Sequence, residues 1–302
     1  MAARSIPRTL AACSLVGALG AAASCKTTPT EIVVGTTTQI QVPKDLGGIG
    51  VVVRYGAQNV ACLGYPVEDG VATLPSTLGF VPADGREDGV LEPLTVLIIG
   101  FKTREQAELY NDSCAIDVPD QTDPRVYVLR ARRMPYTPEK ILYMPMPLRE
   151  SCANVHCPNE GETCIGGKCE SEEIDPASIV EYRDAFVFGD TNTCFSVSRC
   201  LPDALLQPAV LVDEATCTFR YPELPGAPPI EIAPGNLNVE VVYKSFNTEI
   251  LDVDDKEGFI PDPDDPLMFR LAPNLCESNY RNVDAEGNYQ SPRILAVRAA
   301  PG

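Results

Sequence analysis

Four cysteines packed into eighteen residues, Cys152 to Cys169, constrain this chain more than any other feature. The spacing is Cys152-x4-Cys157-x6-Cys164-x4-Cys169. A segment this short cannot bury a useful apolar core, so cross-links or a metal must hold it. Two disulfides fit better than zinc. Structural zinc sites favour C-x2-C pairs, and disulfide frameworks mark oxidising compartments. The single histidine, His156, would be the spare ligand of the zinc alternative, and otherwise reads as an exposed loop residue. Gly166-Gly167, between Cys164 and Cys169, reads as the two-residue turn of a small hairpin. Four cysteines permit three pairings, and the spacing does not choose among them.

The segment resembles a short EGF-like module of the form C-x-x-V-x-C-P-x-G-x-x-C-x-x-G-x-C. Val155, Pro158, Gly161, Gly167 and the four cysteines follow it, with one additional residue between Pro158 and Gly161. Such modules occur in predicted cysteine-rich lipoproteins of myxobacterial type. There they follow an N-terminal β-sandwich ending in an arginine-rich strand, a proline-bearing turn and an apolar strand. Arg130-Ala-Arg132-Arg133-Met-Pro135 followed by Ile141 to Leu148 has that form. The resemblance spans Glu31 to Cys169. It implies a crossed pairing, first cysteine to third and second to fourth, and it brings no biochemical activity with it.

The N-terminus reads as an export signal. Arg4 and Arg8 supply a positive start, and Leu10 to Ser24 form a fifteen-residue stretch of small and apolar residues. That is too short for a membrane-spanning helix, which needs about 20 apolar residues. Ala22-Ala23-Ser24-Cys25 looks like a lipobox, in which the cysteine is lipidated and becomes the new N-terminus. Ala21-Ala22-Ala23 offers an ordinary signal-peptidase site instead. Cysteine parity favours the first. Twelve cysteines less Cys13 leave eleven, and lipidating Cys25 leaves ten that can pair. Lys26 follows, not the aspartate that retains many lipoproteins at the inner membrane, so the outer membrane is the expected location, with secretion as the alternative. The bilayer is then a partner through Cys25, and the several acyl chains of such an anchor make attachment durable.

Length and punctuation divide the rest: a signal at 1–24, a tether at 25–30, a β-sandwich domain at 31–149, the cysteine-rich module at 150–170 and a β-rich domain at 171–302. The 28 prolines and 22 glycines disfavour long helices. The expected fold class is mainly β, with an Ig-like or prealbumin-like sandwich first. Its strands are expected at Glu31–Val34, Thr38–Val42, Gly50–Tyr55, Val71–Leu74, Leu94–Phe101, Arg125–Arg132 and Ile141–Leu148. Asp45-Leu46-Gly47-Gly48 and Ala83-Asp84-Gly85 read as turns. Thr103 and Gln106 form a weak capping box before a short helix. Cys62 and Cys114, alone in this span, should pair with each other. After the module, Asp175-Pro176 should open a helix reaching about Arg183. Strands follow at Ala185–Phe188, Cys217–Tyr221, Val239–Lys244, Leu267–Leu271 and Ile294–Ala299. Cys194, Cys200, Cys217 and Cys276 belong there, with Cys217–Cys276 the expected long-range tie and Cys194–Cys200 a possible local loop.

A formal charge of −18, made more negative by loss of Arg4 and Arg8, disfavours nucleic acid and anionic lipid surfaces as partners. One histidine excludes histidine triads and H-E-x-x-H sites, and no phosphate loop, G-x-S-x-G or dinucleotide fingerprint occurs. No cofactor is implied. Asp252, Asp254, Asp255 and Glu257, within a longer acidic run, are a weak candidate for a Ca²⁺ loop, although the EF-hand spacing is not met. A carboxylate-pair hydrolase in the C-terminal domain needs only two nearby acids and is the alternative. The favoured expectation is a non-catalytic, lipid-anchored envelope protein that binds an unknown protein or glycan, or serves a structural role.

Overall fold

The computed structural model describes residues 28–56, 58–67, 72–82, 91–110, 123–188, 206–222, 237–281 and 292–301. It is mainly β, as the punctuated pattern of β-branched runs requires. In the first domain β1 (Glu31–Thr38), β4 (Ser76–Phe80) and β7 (Ile141–Leu148) form one sheet in the order β4-β1-β7. β2 (Gly48–Tyr55), β3 (Gln58–Pro66), β5 (Leu94–Phe101) and β6 (Val126–Met134) form a second, in the order β3-β2-β5-β6. β1 runs parallel to β7, Ile32 opposite Leu142, and the other pairings are antiparallel.

Alternation along β7 decides which way it faces: Leu142, Met144, Met146 and Leu148 point inward and Tyr143, Pro145 and Pro147 outward. The inward set packs with Ile32 and Val34 of β1, Val51 and Val53 of β2, and Val96 and Ile98 of β5. β5 is buried along its whole length because its other face is covered too. There Leu97, Ile99 and Phe101 meet Ala107 and Tyr110 at the short helix α1 (Arg104–Glu108). Both halves of the Thr103–Gln106 capping box are formed at its start. Gly64 lets α1 sit this close, since a Cβ there would lie 1.9 Å from the Ala107 carbonyl oxygen.

The sequence expectations are corrected at several places. Thr38–Val42 is no strand: β1 runs through to Thr38, and the chain then turns so that Asp45 and Leu46 N–H both reach the Gln41 carbonyl. That turn drives Leu46 fully into the core. β3 and β4 are strands the sequence pattern does not announce, the first because polar and small residues interrupt its alternation, the second because it is five residues beginning with Ser-Thr. The Val71–Leu74 strand reduces to an isolated bridge, Ala72 to Val67, with Val71 outside the described residues. The turn at Ala83–Gly85 also falls outside them.

In the module, β8 (Glu162–Ile165) and β9 (Lys168–Ser171) make the expected hairpin, and Gly166 and Gly167 take φ of +61° and +91° at its turn. The unit is no free bead. Cys152, Ala153, Cys157 and Cys164 belong to the same core cluster as the sandwich, and Thr163 Oγ1 accepts from Ala131 N–H at 2.8 Å.

Residues 171–188, expected to open the C-terminal domain, lie on the sandwich. Glu172 and Ile174 bond to the backbone of Arg133, and Val180 and Tyr182 to that of Tyr143 and Ile141. This extended run replaces the expected helix to Arg183, leaving one 3-10 turn at Pro176–Ser178 capped by Asp175. Ala185–Phe188 is a helical turn, α2, not a strand. Its Val187 covers Gly35 of β1, where a Cβ would stand 2.5 Å from the valine methyl.

The C-terminal domain has two four-stranded antiparallel sheets over one core. The first joins β10 (Gln207–Pro208), β17 (Ile294–Pro301), β13 (Leu237–Tyr243) and β14 (Thr248–Leu251) in that order. The second joins β11 (Val210–Asp213), β12 (Thr218–Arg220), β16 (Met268–Leu271) and β15 (Phe259–Pro261). Val239, Val241 and Val297 of one meet Phe219, Phe259 and Phe269 of the other.

Candidate functional site

Cys152 pairs with Cys164 and Cys157 with Cys169, the crossed order implied by the resemblance, with Cα–Cα distances of 5.7 and 5.4 Å. Oxidised sulfur cannot ligate zinc, and His156 is exposed. Cys217 pairs with Cys276 across 59 residues, the expected long-range tie. Cys62 is disulfide-bonded, and its partner lies outside the described residues. So do Cys25, Cys114, Cys194 and Cys200, together with the signal and the first half of the tether, residues 25–27.

The acidic run gathers no Ca²⁺-ligating cluster among the described residues. Asp254 Oδ1 turns back to accept from Lys256 and Glu257 N–H at 2.8 and 2.7 Å. Asp252 is drawn to Arg149 and Glu257 is turned inward. Asp252, Asp254 and Glu257 are thus each engaged elsewhere, and among the described residues no group of three or more metal-ligating side chains gathers.

What the fold assembles instead is an ionic network at the junction between the sandwich and the C-terminal domain. Arg130 of β6 is buried, donating from Nη2 to Glu257 Oε2 at 2.5 Å and from Nε to the Pro147 carbonyl at 3.1 Å. Arg149, just past β7, donates from Nη1 to Glu249 Oε1 of β14 at 2.9 Å. Its Nη2 reaches Asp252 Oδ2 at 2.7 Å, and its Nε lies 3.8 Å from Glu257 Oε1. The Tyr243 hydroxyl donates to the other Glu249 oxygen at 3.0 Å. Burial pushes the Glu249 carboxyl up in spite of Arg149. Burial acts the same way on Glu257, but Arg130 and Arg149 together outweigh it and hold that carboxyl below its ordinary value. Arg132 is pushed down to about 10 by burial and by the charge of Arg130.

Further polar contacts frame this network. The Arg293 guanidinium reaches the carbonyls of Glu150, Ser151 and Ala153 at 3.3, 3.0 and 2.6 Å, at the end of the 3-10 turn Glu150–Cys152. Glu150 itself accepts from Tyr127 and Ser245 hydroxyls, both at 2.7 Å. The amides of Asn274 and Asn279 grip the hairpin tip through the Ile165 and Gly166 carbonyls at 3.0 and 2.9 Å. Gln39 pairs with both backbone groups of Ile250.

A cleft of about 280 Å³ opens against this network. Leu74, Pro75, Leu148 and Phe186 supply apolar lining, and Thr37, Arg149, Glu249 and Asp252 the polar part. Phe186 of α2 leans on Tyr143 with ring centroids 5.4 Å apart, and Tyr143 on Tyr182 at 6.1 Å. Sequence reasoning missed every member of this arrangement except Asp252 and Glu257. The legible signal was an arginine-rich strand, β6, in an otherwise apolar setting, since a buried arginine requires an acid from elsewhere.

Fold and junction together define a mainly β, disulfide-stapled protein in which a cysteine-rich hairpin is wedged between two β domains. No protein-family model, curated protein or solved structure matches the chain.

Proposed function

We propose that this is an exported, lipid-anchored envelope protein that binds or scaffolds and does not catalyse. It is cut after Ser24 and held in the outer membrane by acyl chains on Cys25. Secretion without a lipid is the alternative address. The observation that carries the export reading is oxidation: each cysteine among the described residues is in a disulfide, which suits a compartment outside the reducing cytosol. The module, read as EGF-like, then serves as a rigid hub against which both β domains rest.

The non-catalytic reading is supported by what the charged groups already do. Both oxygens of Glu249 are occupied, by Arg149 and Tyr243, and Glu257 is spent on Arg130 and Arg149. The envelope hydrolase with paired carboxylates retains one observation in its favour: Glu249, raised by burial, shares a cleft with the exposed Asp252. A general acid needs a free proton-bearing oxygen aimed at substrate, and here neither oxygen of Glu249 is free.

Detergent partition tests the anchor. The full chain, expressed in a Gram-negative host, should enter the Triton X-114 phase, and Cys25→Ala should move it to the aqueous phase. Wild-type protein found in the aqueous phase would contradict lipid attachment.

A further inference from the structure

The cleft beside Arg149 has an apolar wall, Pro75 and Phe186, that the ionic junction does not require. We propose that it binds one pyranose ring, neutral or amine-bearing, of an envelope saccharide. This deepens the non-catalytic binding role proposed above and rests on that reading only for where the sugar is met.

Size is the first argument. At about 280 Å³ the cleft sits at the small end of ligand sites, room for a ring and not for a lipid or a folded peptide. Chemistry is the second. A pyranose presents apolar C–H faces and a rim of hydroxyls, each both donor and acceptor. It therefore needs an apolar wall opposite oriented polar groups. Phe186, 43% exposed, forms the wall with Pro75. Its ring is braced by Tyr143 with the planes tilted by 33°. Across the cleft Asp252 presents an open carboxylate, held by Arg149 and, behind it, the buried Glu249.

Preorganisation is the third argument. Arg149 is fixed by both carboxylates and Glu249 by Tyr243, so no long side chain must be ordered when ligand arrives. Asp252 keeps its side chain 70% exposed and gives only Oδ2 to Arg149, leaving Oδ1 without a partner among the described residues. Thr37 adds a half-buried hydroxyl at the rim. Charge selects among sugars. At the cleft Glu249 and Asp252 are balanced by Arg149 and by the Arg183 guanidinium 5.9 Å over the Phe186 ring, so the discrimination comes from the chain's net charge of −18, which disfavours uronic and phosphorylated rings against neutral or amine-bearing ones.

The test uses the soluble full chain lacking only the lipid, as Cys25→Ala, on an array of cello-, manno-, N-acetylglucosamine, glucosamine and galacturonate tetrasaccharides. Retention is expected on neutral or amine-bearing spots and not on galacturonate. Phe186→Ala and Asp252→Asn should each lower it about tenfold, as loss of one stacking or charged contact would. Phe246→Ala, an exposed aromatic change outside the cleft, should leave it unaltered, and thermal midpoints should report intact folding in all three. No retention anywhere, retention on galacturonate alone, or retention indifferent to both cleft substitutions would overturn the proposal. So would binding confined to glucosamine and fully displaced by spermine, which would mark a cation site with no ring recognition. Chain cleavage of a retained oligosaccharide would leave the sugar site standing and overturn the non-catalytic reading, so the two fail separately.

Discussion

Arg130 shows what one side chain can commit a fold to. Its guanidinium is buried at the domain junction, where an unpaired charge would be costly, and Glu257 arrives from 127 residues away to meet it. Removing one partner of such a pair costs about 3–5 kcal/mol, because the other charge stays buried, whereas replacing both by apolar groups is often nearly neutral. Arg130→Met should therefore lower stability by about 3–5 kcal/mol in urea unfolding, and Arg130→Met with Glu257→Leu should restore most of it. The same pair sets a pH dependence. Glu257 is held below its ordinary value of 4.5, so the native state binds fewer protons than the unfolded chain. Its stabilisation is present above 4.5 and is lost as pH falls through the lowered value. Glu249 works in the opposite sense, since burial raises it and native protein takes up its proton first. Urea midpoints measured against pH should therefore fall below about 4.5 in wild type, and that acid limb should be shallower in Glu257→Gln. An unchanged limb would contradict the assignment. None of these pairings was legible in the sequence, because a charge names its chemistry and not the distant strand that answers it.

Elements were legible where the signal was local. Gly166-Gly167 between two cysteines specified a turn, and Thr103 with Gln106 specified a helix start, because each rule involves neighbours within a few residues. β3, β4, β10, β11, β14 and β15 were not legible: β3 is long but its alternation is interrupted by polar and small residues, and the others are only two to five residues long. Ala185–Phe188 looked like a strand from its apolar run, yet Val187 alone is buried, and one helical turn is enough to place it over Gly35. The hairpin turn carries more than its own geometry. A Cβ at Gly167 would lie 2.1 Å from Asn279 Nδ2 at a φ of +91°, so Gly167→Ala should cost more than about 1 kcal/mol. Hydrogen exchange should quicken at both the hairpin and the Cys276–Tyr280 turn. Disulfides can be ranked in the same way. Loop-closure entropy assigns about 3 kcal/mol to a cross-link over 12 residues and about 4 kcal/mol over 59. Replacing Cys217 and Cys276 by serine should therefore lower the urea-derived stability by the larger amount, and also loosen Asn274 and Asn279 from the module.

At the scale of the molecule, the linear order of sandwich, module and C-terminal domain misleads about how the parts are joined. The module shares the sandwich core through Cys152 and Cys164, the segment after it folds back along β6 and β7, and the C-terminal domain closes on both through charged and amide contacts. We propose that this body is carried at a membrane surface by its lipid anchor and acts without catalysis. The most direct measurement of that account is the intact mass of native protein from membranes, before and after reduction. The account predicts a chain beginning at Cys25, heavier than its sequence by a diacylglyceryl and an acyl group, with its ten remaining cysteines oxidised. A mass that matches an unmodified chain, or cysteines found as free thiols, would contradict it.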